Sequence, residues 1–268
     1  VGNDGKGAAA PRFIGKRQGG VQIKGGSAVD FTGRVDSHQD RAILIVARIQ
    51  KELPLQPDLM TQRSAGVVLH PTSLPGPHGS GDFGPNAYYF VDWLHTAGQT
   101  LWQTLPLGPI GLANSPYMGR SAMAGNPFLV AFEPLVERGW LSAASLQNSF
   151  IAEHVRFDEV LPWRMERLRE AFAGFQAQAD VSTREAFADW QQDNASWLDD
   201  YALFMALDDA YGTDLWTQWP ESLARRESKA LTSARSTHAQ EIAFWAFVHW
   251  QFDVQLQALK SYANGKGV

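Results

Sequence analysis

The sequence predicts an α/β fold in which a parallel β–α–β unit is followed by a long helical region. Two short apolar runs, Gly66–Leu69 and Leu101–Pro106, have the length and composition of strands. Between them, Pro85–Gly98 repeats its apolar residues at helical spacing, and this spacing returns beyond residue 160. A strand, a helix and a strand in close succession indicate parallel strands that are joined by a right-handed crossover and covered on both faces.

The composition excludes several classes of function. The 268 residues carry a net charge of −5 and are 44% hydrophobic, as in a protein with a buried core. No run of five or more like charges provides a nucleic-acid site, and no apolar stretch approaches the roughly 18 residues of a membrane span. The absence of cysteine fits a reducing compartment. We therefore expect a cytoplasmic protein with neither a nucleic acid nor a membrane as partner.

The first 60 residues differ from the rest of the chain. They carry a net charge of +3 against −8 for residues 61–268, and their only aromatic residues are Phe13 and Phe31. Such a segment buries too little surface to offset its chain entropy. We expect a mostly disordered leader with a short helix or strand at Arg41–Leu53, or a read-through product upstream of a start at Met60.

A long loop follows the second strand. Leu107–Pro127 is rich in Gly, Pro, Asn and Ser and is longer than a simple connection requires. Loops at the carboxyl ends of parallel strands are where α/β folds place their sites. Asn114–Tyr117 and Ala124–Pro127 combine hydroxyl, amide and aromatic groups, which can bind a sugar. The same residue types also form good turns, so the residues alone leave both roles open.

The second half of the chain is predicted to be helical. The expected helices are Pro162–Ala179, Ser182–Tyr211 and Pro220–Gly265, the last with one break. Ser182 and Glu185 form a capping box for the second helix, and Gly212 stops it. Its apolar stripe is more typical of a core than of a ligand platform and consists of Phe187, Trp190, Trp197, Tyr201, Phe204 and Met205.

Two groups of ionisable residues could be mistaken for sites. His238 and His249 lie eleven residues apart on a predicted helix without a clustered acidic partner, so we expect no metal there. The pairs Asp199–Asp200 and Asp208–Asp209 could be read as glycosidase carboxylates. Adjacent helical residues point about 100° apart, however, which favours a solvated helix face.

Residues 64–127 contain five short motifs in succession. They are Ser64–Pro77, Gly81–Pro85, Trp102–Pro109, Ser115–Tyr117 and Ala124–Pro127. In content and spacing they closely resemble the first strand and the following loops of 4-α-glucanotransferases of the amylomaltase, or disproportionating-enzyme, family. Trp197–Phe204 is similar to that family's helical insertion, so the resemblance covers residues 63–268.

The resemblance implies the N-terminal part of a (β/α)8 TIM barrel with a large helical insertion. Residues 61–130 then supply the first β–α–β portion and a substrate loop, and residues 131–255 supply the insertion. Residues 256–268 begin a returning barrel helix, expected at Ala258–Asn264. The implied activity is retaining transfer of an α-1,4-glucan segment from a maltodextrin or other α-1,4-glucan to an acceptor glucan or glucose, without a cofactor.

The resemblance assigns substrate-binding positions but no catalytic ones. Tyr117 matches the tyrosine beside the cleaved bond and Ser115 matches its neighbour, while His70 and Asn126 match positions that shape loops near the site. The catalytic Asp, Glu and second Asp of the family follow a strand that is expected beyond Val268. The chain is therefore expected to be inactive alone. Two parallel strands without the rest of a barrel would also leave open edges and an unburied sheet face, so we expect the isolated chain to be marginally stable or aggregation-prone.

Departures from the family pattern keep alternatives open. Leu112–Asn114 stands where relatives commonly have Tyr-Gly-Asp, and Met118–Gly119 where they have Gln-Ser, which weakens the case for an auxiliary glucan contact at this loop. One alternative is a related α-glucan hydrolase. Another is a non-catalytic glucan-binding or helical interaction protein that uses the Tyr117 loop and the Trp-rich helices.

Overall fold

The computed structural model describes residues 63–151 and 154–268. The expected leader and its Arg41–Leu53 segment lie outside the described residues. In chain order the strands and α-helices are β1 (Gly66–Val68), α1 (Pro85–Thr96), β2 (Leu101–Gln103), α2 (Glu133–Glu137), α3 (Phe157–Gln178), α4 (Val181–Tyr211), α5 (Glu221–Ala224), α6 (Ser228–Thr237) and α7 (Ala239–Gly265). Within these residues, no helix has the length and apolarity needed to cross a membrane.

The two predicted strands pair in parallel. Val67 of β1 lies opposite Trp102 of β2, and the Trp102 indole Nε1 donates to the Leu69 carbonyl at 2.8 Å. Helix α1 connects them, with Pro85 in its first turn and Gly98 in the left-handed region beyond its end, as predicted. The β–α–β prediction is therefore confirmed.

The two faces of the strands are not both covered within the described residues, which agrees with the unburied sheet face expected of two strands alone. Val68 is 59% exposed and Leu101 is 38% exposed, while Val67 and Trp102 are only partly buried. The physical reason is the small size of the sheet, because two strands of three residues offer only one side to the packed helices α1 and α7.

Helix α3 begins earlier than predicted. Pro162 was expected to open it, yet the helix starts at Phe157 and carries Pro162 in its second turn. There a proline removes a single intrahelical hydrogen bond. The Phe157 ring packs edge-on against Phe128 with centroids 5.7 Å apart. A tertiary contact thus extends the helix to residues N-terminal to Pro162.

The capping box predicted for α4 is also wrong. The N-cap is Asp180, whose Oδ1 accepts from the Thr183 backbone N–H at 2.7 Å. The Ser182 hydroxyl donates to the same oxygen at 3.0 Å instead of capping the helix. The predicted stop is confirmed, because Gly212 adopts φ +65° directly after Tyr211.

The expected helix 220–265 is broken twice rather than once. Arg226 adopts φ +56° between α5 and α6, and His238 separates α6 from α7. The expected returning helix Ala258–Asn264 is the last part of α7. The predicted boundary between residues 255 and 256 therefore falls inside one continuous helix.

Helix α7 contributes to two hydrophobic clusters. Its first half packs against α3 and α4 in an aromatic core, as the predicted apolar stripe of α4 requires. Its second half, including Leu259, packs with Phe83, Val91 and Leu129 beside the sheet. Gln255 lies between these halves, and its side-chain amide exchanges two hydrogen bonds, 2.7 and 3.1 Å long, with the Ala131 backbone. The segment just after the 107–127 loop is thus fixed to α7.

Candidate functional site

A groove of about 550 Å³ opens between the 107–127 loop and helix α7. One wall consists of residues of the loop, and the other consists of Phe252 and Leu256 of α7. The lining residues are Pro106, Leu107, Gly108, Pro116, Tyr117, Gly119, Ser121, Ala122, Met123, Ala124, Gly125, Phe252 and Leu256. The groove therefore lies where the sequence predicted a site, beyond the carboxyl end of β2.

Tyr117 stands at the outer part of this groove. Its side chain is 70% exposed, which leaves the ring face free to stack on a ligand. The Ser115 hydroxyl oxygen accepts from the Tyr117 backbone N–H at 3.3 Å, so Ser115 holds the turn that presents the ring. These two predicted site residues are brought together.

Asn126 lies at the base of the loop and is 1% exposed. Its backbone N–H donates to the Leu107 carbonyl at 2.8 Å, and its Oδ1 accepts from the Phe128 N–H at 3.0 Å. These bonds join the two ends of the loop. Asn126 thus holds the loop closed at its base and does not line the groove.

His70 follows β1 and caps the turn Pro71–Ser73. Its Nδ1 lies 2.7 Å from the Thr72 hydroxyl oxygen. Burial lowers the pKa of the His70 imidazole, against a smaller opposing effect of the Pro106 backbone. His70 thus lies in the turn that follows the carboxyl end of β1. It does not line the groove.

The prediction that the acidic pairs of α4 lie on a solvated face is confirmed for Asp199, Asp200 and Asp209, which are exposed, and is wrong for Asp208, whose side chain is 15% exposed. Three of the four carboxylates also pair with arginines from other elements. The pairs are Asp200 with Arg226 and Arg235, Asp208 with Arg120, and Asp209 with Arg169. Long-range arginine contacts of this kind leave no periodic signal in the sequence.

A buried ionic network lies on the inner side of the loop region. Arg164 of α3 is 1% exposed and donates to Asp82 Oδ2 at 3.1 Å and to the Val130 carbonyl at 2.6 Å. Burial raises the pKa of Asp82, although the Arg164 charge opposes the shift, and burial lowers the pKa of Arg164. His78 lies 3.4 Å from Glu133 in the same region. The network joins the Gly81–Pro85 motif to helix α3.

The sequence missed three contributors to the groove. Phe252 and Leu256 form its helical wall, and Arg120 ties its loop wall to α4. The spacing of Phe252 and Leu256, four residues apart, indicated only that they share a helix face. Arg120 lies in a loop without periodicity, so nothing in the sequence marked its partner.

The described lining of the groove consists of apolar, aromatic, hydroxyl-bearing and glycine residues. None of its described lining residues is Asp or Glu, whereas retaining glycoside chemistry needs two carboxyl groups about 5 Å apart. Within residues 63–151 and 154–268, no group of three or more His, Asp or Glu side chains could hold a metal ion. His249 is 1% exposed among aromatic rings, and burial lowers its pKa to about 3.

Comparison with known proteins gives a consistent relationship. The sequence profile of the glycoside hydrolase 77 family, described as 4-alpha-glucanotransferase, matches residues 69–268. The chain is 46% identical to the 4-alpha-glucanotransferase of Thermus thermophilus over 206 residues, covering 77% of this chain and 41% of that protein. The chain thus spans about two fifths of the length of the curated relatives it matches.

A plant relative matches more of the chain. The chloroplastic/amyloplastic 4-alpha-glucanotransferase of Solanum tuberosum is 33% identical over 264 residues, which cover 96% of this chain and 44% of that protein. This match extends into the first 60 residues, where the sequence alone showed no resemblance.

A solved structure shows the same relationship. The chain is similar to an amylomaltase from Streptococcus agalactiae in complex with acarbose, with a TM-score of 0.73 and 34% identity over 77% of this chain and 42% of that one. The described residues contribute two strands to this architecture, so the complete barrel stays a prediction. From the matched profile and the similar structure, we conclude that this chain belongs to the 4-alpha-glucanotransferase family.

Proposed function

We propose that this chain supplies a glucan-binding wall of a 4-α-glucanotransferase. In the reaction an α-1,4 bond of a donor glucan breaks and an equivalent bond forms on the 4-hydroxyl of an acceptor glucan or glucose. The reaction therefore needs no cofactor. The observation that carries the proposal is the groove between Tyr117 and Phe252 in a chain of this family.

The groove fits a neutral, elongated sugar better than a charged ligand. The Tyr117 ring provides a stacking surface, and the helical wall of Phe252 and Leu256 provides an apolar surface for the C–H faces of pyranose rings. Hydroxyl and backbone groups around Ser121 provide hydrogen-bonding partners. The solved relative's acarbose, a sugar-like ligand, supports the same ligand class.

We further propose that the 268-residue chain binds glucan without turning it over. The support is that its groove lining, as far as the structure describes it, carries no carboxylate that could act as a nucleophile or acid. Incubation with maltotriose is the direct test. Release of glucose together with longer maltodextrins from the purified chain would refute the claim of inactivity.

Binding is tested by calorimetric titration of the chain with maltoheptaose. We expect Tyr117→Ala to weaken binding about fivefold, because a lost stacking contact is worth roughly 1 kcal/mol. Tyr89→Ala is the matched control, since Tyr89 on α1 is also 70% exposed but does not line the groove. Equal affinities of the two variants would remove Tyr117 from the site, and no binding by the unmodified chain would overturn the binding role.

We also propose the cytoplasm as the compartment of this chain. The support is a sequence without cysteine, which suits a reducing environment. The Solanum tuberosum relative is by its name a plastid protein, so compartments differ within the family. Fractionation of the source cells tests the proposal, and recovery in an organelle or a periplasm would contradict it.

A further inference from the structure

Arg120 joins the loop wall of the groove to a different part of the molecule. Its backbone lies between Gly119 and Ser121, which both line the groove. Its guanidinium binds two carboxylates outside the groove lining, with Nη1 at 2.5 Å from Asp208 Oδ2 and Nη2 at 3.2 Å from Asp214 Oδ2. One side chain thus connects the loop to both sides of the α4 terminus.

Apart from those of Arg120, the hydrogen bonds described for residues 111–123 lie within the loop itself. Its base is held by the Asn126–Leu107 backbone bond, and its own turn by the bond from the Met118 N–H to the Ser115 carbonyl, 3.3 Å long. Tyr117 is 70% exposed. A loop fastened at its base alone would move at its tip, so the Arg120 contacts carry much of the restraint there.

The ion pair of Arg120 with Asp208 is better shielded than most on this surface. The Asp208 side chain is 15% exposed and that of Arg120 is 35% exposed. Charge-assisted hydrogen bonds strengthen as water is removed, and a guanidinium can serve two acceptors at once because its donors form a rigid fork. Burial of Asp208 therefore separates this contact from an ordinary surface pair.

We propose that Arg120 is a positioning residue that sets the width of the glucan groove. Arg120 holds residues 117–121 toward α4, and α4 packs along α7, which carries Phe252. Arg120 therefore fixes the distance between the Tyr117 ring and the Phe252 side chain across the groove. The proposal rests on the proposed glucan-binding function and adds the residue that governs affinity for the sugar chain. Arg120 itself contacts no reacting atom.

The test combines hydrogen exchange with maltoheptaose titration on the full 268-residue chain. We expect Arg120→Ala to accelerate amide exchange about tenfold in residues 111–123, to leave α3 and α7 unchanged, and to weaken maltoheptaose binding fivefold to tenfold. Arg120→Lys reaches one acceptor at a time and should give intermediate values. Arg225→Ala is the control, because its pair with Glu221 lies on the surface, with side chains 71% and 75% exposed.

Each outcome decides one claim. Faster amide exchange with unchanged maltoheptaose affinity would overturn the positioning role, since the Arg120 ion pairs would then restrain the loop without affecting binding. Unchanged exchange would show that Arg120 does not hold the loop. If the unmodified chain binds no maltoheptaose, the proposed function fails, while amide exchange still tests whether the Arg120 ion pairs restrain the loop. If Arg120→Ala unfolds the chain, Asp214→Asn removes one acceptor and should loosen the loop partially.

Discussion

Arg164 and Asp82 form an ion pair, 3.1 Å long, whose two side chains are 1% and 7% exposed. Arg164 lies on α3, in the helical subdomain, and Asp82 lies in the Gly81–Pro85 motif beside the sheet. The Asp82 Oδ1 also accepts from the Gly84 N–H at 2.9 Å, just before α1 begins. The pair therefore couples the helical subdomain to the start of the β–α–β unit.

Replacing Arg164 with methionine should destabilise the chain strongly. The Asp82 carboxylate would remain buried without its partner, and the Val130 carbonyl would lose a 2.6 Å hydrogen bond. Loss of one member of a buried pair costs about 3–5 kcal/mol, which urea unfolding at pH 7 measures as a lowered midpoint.

Two further variants separate charge from packing. Asp82→Asn combined with Arg164→Met removes both charges and should recover part of the loss. Arg156→Ala, in an exposed pair with Glu159 beside the same helix, should change stability by less than about 0.5 kcal/mol. An equal cost for Arg156→Ala and Arg164→Met would show that the buried pair contributes nothing special.

The two possible caps of α4 give opposite predictions. Asp180→Ala should lower the free energy of unfolding by about 1 kcal/mol, because the Thr183 N–H loses its acceptor. Ser182→Ala should change it by less than about 0.5 kcal/mol, since the Ser182 hydroxyl bonds only the Asp180 carboxylate. Thermal unfolding of both variants decides, and a larger loss for Ser182→Ala would restore the capping box predicted from sequence.

Local signals in the sequence located most elements correctly. Pro85, Gly98 and Gly212 marked helix ends because each acts through its own backbone conformation. Pro162 misled for the converse reason, since Phe157 gains a ring contact with Phe128 that only the folded chain provides. Boundaries set by local stereochemistry are thus readable from sequence, and those set by tertiary packing are not.

The same distinction applies to the site. The Ser115–Tyr117 turn was predicted because its residue types form turns and match a family motif. The groove wall at Phe252 and the Arg120–Asp208 contact join residues about 90 to 130 positions apart. No spacing rule connects such distant residues, so the helical wall of the groove appeared only with the fold.

His249 should make stability depend on pH. Burial among the rings of Trp197, Tyr201 and Trp245 lowers its pKa to about 3 from an ordinary 6.5. The folded pKa is depressed, so the unfolded chain binds the proton first. The stabilisation is complete above pH 6.5 and is lost progressively as the pH falls toward 3, by about 2 kcal/mol at pH 5.

The measurement compares unfolding free energies at pH 7 and pH 5. His249→Phe keeps an aromatic ring without a titrating group. Between pH 7 and pH 5 its unfolding free energy should therefore fall by about 2 kcal/mol less than that of the unmodified chain. His238→Gln, at the partly exposed junction of α6 and α7, should leave the loss unchanged. Identical pH dependence in all three proteins would contradict a neutral, buried His249.

Gly125 packs against the helical wall of the groove so closely that a side chain does not fit. A Cβ added there would lie 2.2 Å from the Phe252 ring, which forces the ring or the loop to shift. Gly125→Ala should therefore cost about 1–3 kcal/mol in unfolding free energy. Gly265→Ala is the matched control at the end of α7, where no atom lies within 4 Å of the new methyl group, and it should be neutral or slightly stabilising.

Combining Gly125→Ala with Phe252→Leu tests the cause of that cost. A leucine side chain leaves room for the new methyl group, so the double variant should be more stable than the sum of the two single losses predicts. Strict additivity of the two losses would show that Gly125 is required for its backbone and not for its contact with Phe252. In that case the close approach of loop and helix would not define this side of the groove.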